Sequence, residues 1–140
     1  MNERLKCILL VDDDDATNYM HKRIIVKSRC VERVEVCKSA EEALQYLANK
    51  ANGQCPSPEI IFLDINMPGM NGWEFFEVYD KLDVGQKADV VIVTLTTPLL
   101  PKDQEKAKKV PYINGFAEKP LSKEKLDQII GDFFPDLSVI

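Results

Sequence analysis

Short apolar runs and longer amphipathic stretches alternate along this chain. Cys7-Ile8-Leu9-Leu10-Val11 is one continuous apolar run, Ile60-Ile61-Phe62-Leu63 a second, and Val90-Val91-Ile92-Val93, inside 89–95, a third. Runs of this length and composition suit strands buried on both faces. Residues 31–37 alternate apolar and charged side chains instead, which predicts a strand nearer a sheet edge. Asn114-Gly115-Phe116-Ala117 predicts a short last strand. Between these runs the period lengthens to that of a helix. A first helix is expected over 16–28, with Tyr19, Met20, Arg23, Ile24 and Val26 near its inner face. Ser39 reads as an N-cap, with Glu42 completing a capping box, for a helix reaching about residue 51. Turn residues make 52–58 a loop. Further helices are expected over 73–82 and over the charged stretch 102–109. The last is capped by Ser122 and carries Leu126, Ile129, Ile130, Phe133 and Phe134 at helical spacing before Pro135.

Five strands and five helices in strict alternation demand a parallel sheet with helices on both faces. One reversal of direction gives the doubly wound α/β order 2-1-3-4-5, with a crevice between strands one and three at the carboxyl edge, where such sheets bind ligands. The 140 residues are read as a single domain, 1–140 with a core at about 5–134, with no repeat, linker or output domain.

Composition narrows the function classes. Hydrophobic content of 45% and charged content of 29% are ordinary for a soluble domain. A net charge of -5 argues against sequence-independent nucleic-acid binding. No apolar run is long enough to span a bilayer, and the first residues have no signal-peptide pattern, so a cytoplasmic protein is expected. The cysteines at 7, 30, 37 and 55 lack metal-knuckle or dithiol spacing, and Cys7 and Cys37 are expected in the core.

The chemistry sits at strand ends. Strand one stops at Asp12, Asp13, Asp14 and Asp15, and strand three stops at Asp64, before the turn Ile65-Asn66-Met67-Pro68-Gly69-Met70-Asn71-Gly72. Thr96 ends strand four and Lys119 ends strand five. Clustered carboxylates are hard-oxygen ligands of the kind Mg²⁺ takes. Metal, lysine, hydroxyl and a free carboxylate together suit phosphoryl transfer. Each part also has a plainer reading. An acidic run can simply begin a helix, Thr96 can be an ordinary strand-end threonine, and Lys119 a surface lysine in a turn. All of them at carboxyl ends of strands is the less ordinary arrangement.

Leu10-Val11-Asp12-Asp13-Asp14, the stretch from Leu63 to Gly72, Thr96, and Phe116-Ala117-Glu118-Lys119-Pro120 together resemble the response-regulator receiver domains of two-component signalling, over nearly the whole chain. The resemblance implies a flavodoxin-like fold and a stand-alone signalling switch, not an enzyme, that catalyses only its own phosphotransfer and dephosphorylation. Asp64 would accept a phosphoryl group from a histidine kinase or histidine phosphotransfer protein. Asp12 and Asp13, with Asp64 and the backbone carbonyl of Asn66, would hold Mg²⁺. Thr96 would hydrogen-bond the phosphoryl group and Lys119 would pair with it, across a Lys119–Pro120 bond that is commonly cis in this family. Thr96 and Phe116 would move together, Phe116 turning inward and reshaping the face of helix four, strand five and helix five. That face would meet a downstream protein partner, and it is also a candidate homodimer surface.

Thr97 departs from the small residues frequent after the threonine, and Pro98, with no donor, would stiffen the following loop; Thr97 would narrow access for attacking water and lengthen the phosphorylated lifetime. His21 reads as a solvent-facing helix histidine rather than a phosphorelay one. Trp73 is expected to be half-buried. Two other readings compete. A phosphatase with an aspartyl nucleophile would use Asp12 and Asp14 but lacks a cap region for substrate. A receiver that binds without phosphorylation conflicts with the intact Asp64, Thr96 and Lys119 set.

Overall fold

The computed structural model describes residues 4–48, 58–67, 69–83, 87–95 and 99–135. Among them, strands β1 (Ile8–Val11), β2 (Val34–Cys37), β3 (Ile60–Asp64), β4 (Val90–Leu95) and β5 (Ile113–Glu118) alternate with helices α1 (Asp15–Ser28), α2 (Ala40–Ala48), α3 (Gly72–Tyr79), α4 (Pro101–Lys108) and α5 (Lys123–Phe133). The strands form one parallel sheet in the order β2-β1-β3-β4-β5. The doubly wound topology expected from the alternation is the one adopted.

Burial follows the residue pattern. Every residue of β1, β3 and β4 is buried, whereas β2 is buried only at its ends and β5 alternates half-buried with exposed positions. Alternate residues of the central strands feed two cores. Leu9, Ile61, Leu63 and Val93 pack with Leu44 and Leu47 of α2 and Phe75, Phe76 and Tyr79 of α3. Ile8, Leu10, Phe62 and Ile92 pack with Ile25 of α1 and Leu126 and Ile130 of α5. Helix α4 contributes no buried side chain and starts on a proline.

Irregularities in the sheet aim the site. Val91 pairs with Ile113 but Ile92 pairs with Gly115, so Asn114 is an extra residue in β5, and its Oδ1 accepts the Val91 N–H at 2.8 Å. The bulge replaces a ladder bond by a side-chain bond and shifts every later residue of β5 by one. After it, Phe116 lies opposite Val93 and Glu118 opposite Leu95, and the Lys119 N–H donates to the Leu95 carbonyl at 2.8 Å.

The chain departs from the sequence reading in several places. The inner face of α1 is Asn18, His21, Ile25 and Ser28, with Ile24 half-buried against the same core as expected, whereas Tyr19, Met20 and Val26 are 66%, 47% and 55% exposed and Arg23 is also exposed. Counting apolar residues displaces the face because Asn18 and His21 are buried against backbone groups outside the helix. His21 is therefore 4% exposed, not solvent-facing. The second strand begins only at Val34, and Val31 makes an isolated bridge to Leu5. Ser39 does accept the Glu42 N–H at 3.0 Å, but the Glu42 carboxylate takes the Lys38 N–H, so the box does not close. A full capping box forms instead at Asn71 and Glu74, heading α3. On α5, Phe133 is 36% exposed rather than core. Cys7 and Cys37 are buried as expected. The loop residues 52–57 lie outside the described residues.

Two glycines separate close packing from open helix. A Cβ on Gly72 would sit 2.9 Å from the Ile65 Cα, backbone that cannot step aside, whereas one on Gly131 in α5 would meet nothing within 4 Å. Gly72→Ala is expected to lose about 1–3 kcal/mol, the usual penalty of overpacking. Gly131→Ala is expected to gain about 0.5–1 kcal/mol from the lost backbone freedom of the unfolded chain. Urea unfolding of both variants checks the two signs, and a neutral Gly72→Ala would mean that the β3–α3 turn can relax.

Candidate functional site

The four aspartates after β1 divide their work. Asp12 is buried, and its N–H donates to the Cys37 carbonyl at 3.1 Å, continuing the β1–β2 ladder one residue past the strand. Asp13 is exposed. Asp14 is the N-cap of α1: its carboxylate accepts the Thr17 N–H at 3.0 Å and bonds the Thr17 hydroxyl, and these bonds hold its carboxyl below the ordinary range. Asp15 is in the first turn, where negative charge suits the helix dipole, and pairs with Lys38 at 2.8 Å. Only Asp12 and Asp13 are left facing the crevice.

Asp64 ends β3 next to them and is buried. Its Oδ1 accepts the Asn66 N–H at 3.1 Å. The tight turn after it is held by the Gly72 N–H donating to the Ile65 carbonyl at 3.0 Å. One carboxylate oxygen from each of Asp12, Asp13 and Asp64 lies within 4.8 Å of the others. Lys119, one residue beyond β5, reaches across the sheet edge to the same carboxylates. Its Nζ is 2.6 Å from the Asp12 Oδ2 and 3.4 Å from the Asp64 Oδ2. The Lys119–Pro120 peptide bond is cis. Strand four ends at Leu95, and Thr96, Thr97 and Pro98 lie outside the described residues.

The electrostatics are those of charges packed out of water. Burial pushes the Asp64 carboxyl above its ordinary range; the Asn66 N–H and Lys119 pull it back, and the Asp12 charge adds to the rise. Burial alone would lower the Lys119 pKa, but the hydrogen bond to Asp12 and the charges of Asp64 and Asp12 outweigh it, so the ammonium is held more firmly than a free lysine. Burial lowers the His21 pKa against the pull of Asp12. Asn18 and His21, the two buried polar side chains of α1 nearest this crevice, have no periodic signal because their partners are backbone groups outside the helix, Asp12 just before it and Leu121 a hundred residues on. The Asn71–Glu74 box was legible as Asn followed three residues later by Glu.

An Asp64 pKa above its unfolded value means that the native state binds this proton more tightly. Stability is therefore lost as pH rises through the range in which this carboxyl ionises. Asp64→Asn should melt about 2–4 °C higher than the parent at pH 7 in EDTA, the shift that about 1 kcal/mol makes in chains somewhat larger than this one. The difference should fade below the carboxylate range. Thermal melts at the two pH values check it, and a lower midpoint for the variant at pH 7 would show that Asp64 is a net stabiliser.

A family model described as Response regulator receiver domain matches residues 8–131. Among solved structures, a two component response regulator from Cytophaga hutchinsonii is 30% identical, with a TM-score of 0.81 over 95% of this chain and 99% of that one. The probable methanogenesis regulatory protein FilR2 of Methanothrix harundinacea is 26% identical over 88% of this chain and 77% of its own length. The two-component response regulator ARR2 of Arabidopsis thaliana is 30% identical over 64% of this chain, which spans only 12% of that longer protein. No helix among the described residues is long and apolar enough to cross a membrane. With the sheet order, the strand-end carboxylates and the family match in agreement, this chain belongs to the response-regulator receiver domain family and is a two-component response regulator.

Proposed function

We propose that this chain is a phosphorylation switch in which Asp64 takes a phosphoryl group from the phosphohistidine of a histidine kinase or a histidine phosphotransfer protein. The observation that supports it is the convergence of Asp12, Asp13 and Asp64 with the Lys119 ammonium at one sheet edge. An all-oxygen donor set this close together fits a small hard cation, and Mg²⁺ keeps positions for water and phosphoryl oxygens. Asp12, Asp13, Asp64 and the Asn66 carbonyl would hold it. When bound, it supplies positive charge beside the transferring phosphoryl oxygens.

The chain's own groups do the rest. A carboxylate oxygen of Asp64 bonds to phosphorus as the bond from phosphorus to the donor imidazole nitrogen breaks, and the imidazole departs neutral because its other nitrogen carries a proton. Lys119 pairs with a phosphoryl oxygen, and the Thr96 hydroxyl donates to another. Phe116 is the switch residue. It is 45% exposed on β5 and borders two shallow cavities, about 370 Å³ toward Gln128 and Ile129 of α5 and about 330 Å³ toward Gln104 and Ala107 of α4. Turning it inward would change the surface formed by α4, β5 and α5 for a protein partner, a local charge change biasing a two-state element.

Intact mass after incubation with Mg²⁺ and acetyl phosphate tests the reading. The parent should gain one phosphoryl group, and Asp64→Asn, or the parent in EDTA, should gain none. Lys119→Ala should bind Mg²⁺ at least as tightly as the parent, since the competing ammonium is gone, yet lose its phosphoryl transfer rate by roughly 100-fold or more, as removal of one charge-stabilising donor does. A full-rate Lys119→Ala would remove the lysine from the mechanism.

A further inference from the structure

His21 is a buried histidine that the phosphotransfer chemistry does not use. It lies one turn beyond Asn18 on the inner face of α1, and both are nearly inaccessible at 4% and 5% exposure. The Asn18 Nδ2 donates to the Asp12 carbonyl at 2.7 Å. The His21 Nε2 accepts the Leu121 N–H at 3.1 Å. A nitrogen that accepts carries no proton, so the imidazole is neutral with its proton on Nδ1. Leu121 is 3% exposed and follows a proline, so its N–H is the first backbone donor after that of Lys119. One helix face thus fastens the backbone on both sides of the ion pair: at Asp12 itself, and at the second residue beyond Lys119. The side chain of Lys125 adds an outer fastening, donating to the Glu118 carbonyl at 2.9 Å and the Pro120 carbonyl at 3.1 Å.

We propose that His21 is a positioning residue for Lys119: with Asn18, it fixes the backbone from which the ammonium reaches Asp12 and Asp64. The role rests on the phosphotransfer reading above. Lys119 must meet a phosphoryl oxygen at a defined point, and a misplacement of about 1 Å in such a group can slow a reaction by roughly 100-fold.

The test compares the parent, His21→Gln and His21→Leu. Glutamine keeps an acceptor oxygen, whereas leucine keeps bulk and has no acceptor. The readouts are the phosphorylation rate with saturating acetyl phosphate and Mg²⁺, the Mg²⁺ dissociation constant by calorimetry, and ¹⁵N NMR of the histidine ring and the Leu121 amide. The expected result has three parts. The parent shows an unprotonated Nε2. The Leu121 amide is protected in the parent and in His21→Gln but exchanges faster in His21→Leu. The maximal rate falls about tenfold or more in His21→Leu and stays within about threefold in His21→Gln, while Mg²⁺ affinity barely moves, which marks a loss confined to the reaction step. If leucine unfolds the chain, His21→Met removes the same acceptor with a more adaptable side chain. A folded His21→Leu that phosphorylates at the parent rate overturns the proposal. So does an equal loss in His21→Gln and His21→Leu with equal loss of stability, which would make His21 a packing residue only. A parent that takes no phosphoryl group under conditions where Mg²⁺ binds overturns the phosphotransfer reading and this role with it; the Leu121 amide and the Nε2 signal then report the fastening by itself.

Discussion

The contact on which the site depends is the ion pair between the half-buried Lys119 and the buried Asp12, with Asp64 as the second carboxylate. Bringing the aspartates to one sheet edge is unfavourable in itself, because like charges close together repel and two of these carboxylates are buried. A cation within reach makes the arrangement tenable, and Lys119 supplies one from the far end of the sequence. The remainder of the fold can be understood as what carries that ammonium there. Parallel β1, β3, β4 and β5 end at the same edge, and the bulge at Asn114 sets the register in which Lys119 follows Leu95. Beyond Pro120, the buried Leu121 leads the chain to the Ser122 cap of α5.

On the phosphotransfer reading, the same pair would let the crevice exchange charge rather than close permanently. Lys119 divides itself between two acceptors at 2.6 and 3.4 Å, so neither carboxylate is saturated. A phosphoryl group on Asp64 would offer the ammonium a more strongly charged acceptor, and Mg²⁺ would relieve the carboxylates it leaves. Firmly held elements surround this exchange: Asp14 and Asp15 are committed to starting α1, and the Asn71–Glu74 box starts α3.

What the sequence revealed, and what it hid, follows from how local each signal is. The central strands were legible because burial on both faces leaves nothing but apolar residues in Ile8–Val11 and Ile60–Leu63. The strand-end residues Asp12, Asp64 and Lys119 were legible because topology alone delivers them to one edge. The inner face of α1 was not, since its buried stripe holds Asn18, His21 and Ser28, whose partners include the Asp12 carbonyl and the Leu121 N–H. A polar side chain buried for a backbone partner 100 positions away has no periodic signature. The Ser39 cap forms, but the Glu42 carboxylate takes the Lys38 N–H, one residue before the cap, and the residue types in the motif do not specify which backbone N–H that carboxylate takes. The placement of Phe116 depended on the Asn114 bulge, which alternation cannot foresee.

The unequal distribution of burial bears on how little energy the proposed switch requires. Inverting a two-state population from 1:99 to 99:1 takes about 5.5 kcal/mol of differential binding. A phosphoryl group with a charge-assisted bond or two, each worth roughly 1.5–3 kcal/mol, supplies at most about that much. Such a sum could not repack β1, β3 or β4, where every residue is buried and loss of one large core side chain alone costs about 2–5 kcal/mol. It is commensurate with moving α4, which buries no side chain, and one aromatic on a strand exposed at alternate positions. On the proposed reading, this gradient from a rigid centre to a lightly held edge would direct a change made at Asp64 toward the α4–β5–α5 side, without a dedicated pathway between them.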